Sequence, residues 1–163
     1  MRKFVNHITF RRLPAMTAYL VAAVLLPAFA VPTVFAAAKP PINAGRDGVA
    51  VKGYDVVVYT EGAARKGSPQ FEHKWNGATF RFEKAANRDR FAAAPEKYAP
   101  QFGGYCAYAV SRGYTADIDP NAFRIVDGKL YLNYSKSVQR LWEKDIPGNI
   151  ARGQMNWPAV LDK

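Results

Sequence analysis

The chain has 163 residues, 49% of them hydrophobic and 13% aromatic, with a net charge of +10. That composition builds a core, so whole-chain disorder is excluded, and the length fits a single domain. The single cysteine excludes an internal disulfide, and with two histidines it excludes a closed Cys/His zinc site, which needs four ligands.

Residues 1–38 read as an export signal. Arg2, Lys3, Arg11 and Arg12 form a basic n-region, and 15–35 is apolar and free of charge. Small residues before Ala36 or Ala38 offer cleavage sites, and Pro27 and Pro32 late in the apolar run favour cleavage over a retained span. The expected location is periplasmic or secreted, with no stable membrane span after cleavage. Without the four n-region cations, 19 basic side chains face 13 acidic ones, leaving +6. No basic run is long enough to be a nucleic-acid patch; the moderate charge reads as ordinary solubility ahead of attraction to anionic lipid or an acidic partner, and an envelope protein is the partner class left open.

Residues 39–47, with two prolines and a glycine, read as linker, and the domain is expected over 48–158, with 159–163 as a tail. Val49 and Val51 suggest a short strand. Asp55 is placed to cap a helical turn over 56–60, although Val56-Val57-Val58-Tyr59 has strand propensity. Residues 71–75 and 78–82 alternate about Asn76-Gly77, the strongest short hairpin signal. Phe71, His73, Trp75, Ala78, Phe80 and Phe82 share the core face. A helix follows over 84–94, ended by Pro95, with one more turn before Pro100. Gly103-Gly104 break the chain. Residues 105–111 read as a short helix or a strand. A loop carries Asp117 and Asp119, without the spacing of a calcium loop; Asp119 is expected to cap a turn started by Pro120. Residues 123–126 and 129–134 flank Asp127-Gly128 as a second hairpin, with Phe123, Ile125, Leu130, Leu132 and Tyr134 turned inward. Ser135 caps a helix over 135–145, whose stripe is Val138, Leu141 and Trp142; Pro147-Gly148 stop it, and a last helix runs over 149–156. The fold class is α+β: a small domain with two antiparallel hairpins and several short helices.

Chemistry-bearing residues are few. After export the chain keeps one histidine, His73, one cysteine, Cys106, and one methionine, Met155. Imidazole, thiolate and thioether are soft-metal ligands, so His73 and Cys106 form a candidate pair, with Met155, Asp55 or Tyr54 as a third group. Gly103 and Gly104 permit close approach of a ligand to the backbone before Cys106. Tyr54, Asp55, Tyr105 and Tyr108, with Tyr114, are candidates to line a pocket. No nucleophile–base pair, P-loop or dinucleotide pattern is present, so no catalytic residue is assigned.

The segment Phe80-Arg81-Phe82-Glu83-Lys84-Ala85-Ala86-Asn87, followed by Phe91 and Ala94-Pro95-Glu96-Lys97-Tyr98, resembles the YHS-domain family. Gly103-Gly104-Tyr105-Cys106-Ala107-Tyr108-Ala109-Val110, Asn133-Tyr134-Ser135-Lys136-Ser137-Val138 and the entry Val51-Lys52-Gly53-Tyr54-Asp55 fit its longer, exported branch. The metal-type module carries cysteines where Glu83 and Asn87 stand here. The resemblance implies a binding protein rather than an enzyme, with a transition metal, copper first, as the implied cofactor at Cys106 and His73. The rival expectation is a module for a small ligand or an envelope partner that uses the tyrosines and no metal. A thiol redox protein at Cys106 is a third, which the lack of a resolving cysteine disfavours.

Overall fold

The structure is a computed structural model that describes residues 38–163. The export signal read over 1–38 therefore lies outside the described residues, apart from its last position. No helix among the described residues is long and apolar enough to cross a membrane.

The fold is α+β, with two separate two-stranded antiparallel sheets and five α-helices among the described residues. Strands β1 (Ser68–Trp75) and β2 (Ala78–Phe82) pair His73 with Phe80 and Trp75 with Ala78. Asn76 (φ 46°) and Gly77 (φ 80°) supply the two left-handed positions of the turn. The aromatic face is inward as the alternation requires. Phe80 and Phe82 are buried, and Phe91 of helix α1 (Ala85–Ala93) stacks on Phe80 with ring centroids 4.7 Å apart. Pro95 opens the single turn α2 (Pro95–Tyr98).

Before β1, the valine run is not a strand. Asp55 Oδ1 accepts the Val57 N–H at 2.9 Å, and a 3-10 turn follows over Val58–Glu61. Local capping outweighs β-branched propensity here because Asp55 satisfies donors that a strand would leave without a partner. The strand expected at Val49 and Val51 is reduced to single bridges, Ala44 to Ala50 and Val49 to Thr79, before a left-handed turn at Val51 (φ 50°) and Lys52 (φ 52°).

Within residues 105–111 the helical alternative holds from Ala107 on: α3 spans Ala107–Ser111, with Cys106 at its N-cap position after an extended Tyr105. Strands β3 (Asp119–Val126) and β4 (Lys129–Asn133) form the second hairpin, turning at Asp127 (φ 48°) and Gly128 (φ 73°). Its two faces serve different cores. Leu130 and Leu132 join the first hairpin, Phe91 and Tyr59 in one apolar cluster. Tyr131, on the opposite face, joins Phe102, Val110, Trp142 and Val160 in a second. A hairpin buried on both faces departs from the one-sided pattern expected of it. The second face is covered by helices and by the C-terminus.

Helix α4 (Lys136–Glu143) begins where expected, with Ser135 Oγ accepting the Val138 N–H at 3.2 Å. Its stripe is rotated from expectation. Trp142 is buried and Gln139 nearly so, its amide donating to the Phe123 carbonyl at 2.8 Å, while Leu141 is 43% exposed. Replacing Leu141 by glutamine is therefore expected to change stability by less than about 0.5 kcal/mol in urea unfolding; a loss above about 2 kcal/mol would mean Leu141 is packed after all. Pro147-Gly148 lie inside the first turn of α5 (Ile146–Asn156) rather than between helices. Asp145 caps it, accepting the Gly148 N–H at 3.0 Å, and proline is tolerated there because its missing N–H would have had no intrahelical partner.

The linker and tail assigned at 39–47 and 159–163 are packed parts of the domain. Ile42 is 3% exposed, Asn43 N–H donates to the Gly103 carbonyl at 2.8 Å, and Lys39 N–H donates to the Leu161 carbonyl at 2.8 Å. Val160 is fully buried and Trp157 packs on the rings of Phe102 and Tyr105.

Candidate functional site

Cys106 occupies the junction of α3 with β4. Its backbone N–H donates to the Ala116 carbonyl at 3.0 Å, and its thiol donates to Asn133 Oδ1 at 3.8 Å. The Tyr134 N–H donates to the sulfur at 3.3 Å. Asn133 is fully buried at the end of β4, and its Oδ1 also accepts the Tyr108 N–H at 3.2 Å, so one side chain ties α3 to the second hairpin. Among the described residues Asn133 Nδ2 has no hydrogen-bond partner.

Burial pushes the Cys106 thiol above its ordinary pKa; the backbone N–H groups of Ala109, Tyr134 and Tyr108 pull the other way and do not offset it. The group is neutral near pH 7, so the sulfur is a weak nucleophile despite its place before a helix. Because the folded-state pKa is raised, the unfolded chain releases this proton first as pH rises. The contribution of Cys106 to stability is thus fully present below the ordinary thiol value of about 8.5 and is lost as pH climbs above it. Native protein at pH 7.5 is expected to react with iodoacetamide at least about tenfold more slowly than the urea-unfolded chain. Equal rates would contradict a buried, neutral thiol.

The thiol edges a cavity of about 290 Å³ whose walls include Tyr108, Tyr114, Tyr134, Ala116 and Val138. Tyr114 is 53% exposed and Tyr134 59% exposed, so two tyrosines face solvent beside it while Cys106 is 1% exposed. Tyr134 was expected on the inward face of β4. It lies one residue past the strand, immediately before the Ser135 cap, where the chain leaves the strand and its side-chain alternation ends.

His73 is in different surroundings. It is half-buried on β1, edge-on to Phe91 with centroids 5.8 Å apart. Its neighbours belong to the first hairpin and α1, whereas the sulfur's hydrogen-bond partners belong to β4 and the residue after it. Asp55 is fully buried and engaged: besides Val57, its Oδ2 accepts the Glu83 N–H at 2.8 Å and Asn87 Nδ2 at 2.7 Å. Glu83 itself pairs with Arg65 at 3.3 Å. Glu83 and Asn87 are thus both tied into an Asp55-centred network. Asp117 bridges Lys52 at 2.8 Å, and Asp119 Oδ1 accepts the Asn121 N–H at 2.9 Å, so these carboxylates turn to different partners. Among the described residues no group of three or more His, Cys, Asp and Glu side chains is placed to hold a metal ion. The donor set does not fit a closed transition-metal site.

The other candidate pocket residues hold the fold. Tyr54 bridges Lys66 through the backbone and carries its ammonium 5.8 Å from the ring centroid. The Tyr105 hydroxyl donates to the Pro40 carbonyl at 2.9 Å. A side chain at Gly103 would collide with the Pro41 carbonyl, and one at Gly104 would touch Pro100 Cγ at 3.0 Å. Tyr108 and Tyr114 are the pocket candidates that do line the cavity with Cys106. Tyr134, Val138 and Asn133 are contributors that pattern reasoning did not single out for a site. The usable signal was the cap at Ser135, which marks the strand-to-helix corner where side chains from both elements converge.

Comparison with known proteins adds no relative: no protein-family model, no curated protein and no solved structure matches the chain.

Proposed function

We propose that this domain is a binding protein whose site is the cavity over Cys106, and that it takes a small organic ligand with an apolar or aromatic body. The observation that carries this reading is the convergence of Tyr108, Tyr114 and Tyr134 on one cavity of about 290 Å³, near the lower size limit of small-molecule sites. Two half-exposed tyrosines beside a cavity offer ring faces for stacking at low cost in side-chain entropy. Binding rather than catalysis fits the surroundings of Cys106, whose hydrogen-bond partners are an amide and a backbone N–H rather than a base. Membership of the exported YHS-like branch is part of the same proposal and rests on the sequence motifs alone.

The test is a fluorescence titration of the full chain with N-phenyl-1-naphthylamine, a neutral two-ring probe. Saturable binding with a Kd of about 10–100 µM is expected for a ligand of that size. Tyr114→Ala, at an exposed position, should weaken it about fivefold or more, and Val138→Trp, which fills the cavity, should abolish it. Absence of saturable binding, or affinity indifferent to both variants, overturns the reading. Copper at Cys106 and His73 draws less support, because His73 is neither a hydrogen-bond partner of the thiol nor a wall of the cavity beside it. It is tested in the same preparation by Cu(I) competition against a chelator with Cys106→Ser and His73→Ala. One tight equivalent lost in both variants would restore the metal reading.

A further inference from the structure

The cavity over Cys106 has a charged neighbour that bears on what it takes. Arg112 follows α3 and is exposed, with its guanidinium 4.9 Å from the Tyr108 ring centroid and its Nη2 donating to the Tyr108 hydroxyl at 3.1 Å. Among the described residues Arg112 makes no salt bridge. Asp145 feels its charge, but that carboxylate is bonded to Arg152 at 3.0 Å. The cavity walls carry no carboxylate. At the smaller cavity near Asn43, of about 140 Å³, the bordering cation Lys52 is already paired with Asp117 at 2.8 Å.

A guanidinium has five N–H donors in a planar fork, and Arg112 commits one edge to a hydroxyl while stacking on the ring. The Tyr108 hydroxyl accepts that N–H and keeps its own proton to donate. An anionic oxygen placed at this hydroxyl would meet the phenol proton and lie within reach of the arginine's remaining donors. Resting on the cavity being a ligand site, we infer that its ligand is a small amphipathic anion. Its aromatic or apolar body sits with Tyr114 and Tyr134, and its carboxylate- or sulfonate-type group sits at Tyr108 and Arg112. The domain's net positive charge adds long-range attraction for such a ligand.

A matched pair of probes tests the charge separately from the cavity. 8-Anilino-1-naphthalenesulfonate and N-phenyl-1-naphthylamine share the same ring body, and the first adds a sulfonate. With the full chain at low ionic strength, the sulfonate is expected to bind about tenfold more tightly, the scale of one charge-assisted hydrogen-bonded pair. Raising salt to about 0.5 M should shrink that ratio, because an exposed pair is screened. Arg112→Gln should bring the ratio near one by weakening the sulfonate alone, and Arg112→Lys should keep part of it, since the charge stays and the fork is lost. A wild-type ratio near one, with the amine still binding, overturns the inference and leaves the cavity reading standing. A tenfold ratio that Arg112→Gln leaves intact places the sulfonate elsewhere and also overturns it. Failure of both probes to bind overturns the cavity reading and this inference together.

Discussion

Replacing Asp55 by alanine is expected to remove about 3–5 kcal/mol of stability, lowering the melting temperature by about 10–20 °C for a domain of this size. The reason is a count of donors. The Asp55 carboxylate is fully buried and accepts three hydrogen bonds: Val57 N–H, Glu83 N–H and Asn87 Nδ2. Each donor stranded away from water costs about 1–3 kcal/mol, and alanine strands all three around a cavity. Asparagine at 55 is nearly isosteric yet should be almost as damaging. Its amide nitrogen would occupy the Oδ2 position and face two other donors. The reciprocal double change, Asp55→Asn with Asn87→Asp, should recover about half of the loss, since the new carboxylate at 87 can accept from the new amide while the Glu83 N–H still lacks an acceptor. Urea unfolding of the four proteins measures this directly. If Asp55→Asn proves neutral, the carboxylate is not the acceptor described.

Gly103→Ala is expected to cost at least about 4 kcal/mol, or to prevent folding, which calorimetry or circular dichroism would report. Two terms add. The residue has φ of 59°, a left-handed conformation that costs about 1–2 kcal/mol for an L side chain. The new Cβ would also collide with the Pro41 carbonyl and meet Trp157 Cη2 at 3.1 Å. That carbonyl belongs to the segment 39–47, which also carries buried Ile42 and whose Asn43 N–H donates to the Gly103 carbonyl. Relief would therefore require that segment to lift from the domain. Gly128→Ala is the control. Its φ of 73° is equally left-handed, but a Cβ there meets nothing within 4 Å. It should cost only about 1–2 kcal/mol. Equal losses at the two positions would mean that conformation alone, and not the collision with that segment, sets the effect.

Several features were legible because they depend on residues adjacent in the chain. Asn76-Gly77 and Asp127-Gly128 specify their turns through conformations open to few other pairs, and both hairpins stand where those dipeptides put them. Asp55 and Ser135 were legible as caps because a cap bonds to N–H groups two or three residues ahead. The inward aromatic face of the first hairpin followed from alternation alone.

What the chain order could not disclose was which surfaces meet. Alternation marks two faces on a strand but does not say that both are covered, so the burial of Tyr131 beside Leu130 and Leu132 was decided by α4, α5 and the C-terminal residues packing on the second face. The stripe of α4 shows the same limit. Leu141 and Trp142 are both apolar and one position apart, and only the packing of Trp142 on Tyr131 of β4, with Gln139 bonded to the Phe123 carbonyl of β3, made Trp142 and Gln139 the buried pair. The two Asp55 partners beyond its own turn, Glu83 and Asn87, are 28 and 32 residues away, a separation that no local pattern encodes. The candidate site follows the same rule. By itself the sequence determined an α+β domain with one thiol, one imidazole within residues 38–163 and many tyrosines. Tertiary structure decided that the thiol would lie among Tyr108, Tyr114 and Tyr134 while His73 packs on Phe91. Long-range packing chooses neighbours by complementary shape and buried area across the whole chain, and those quantities exist only once the chain has folded.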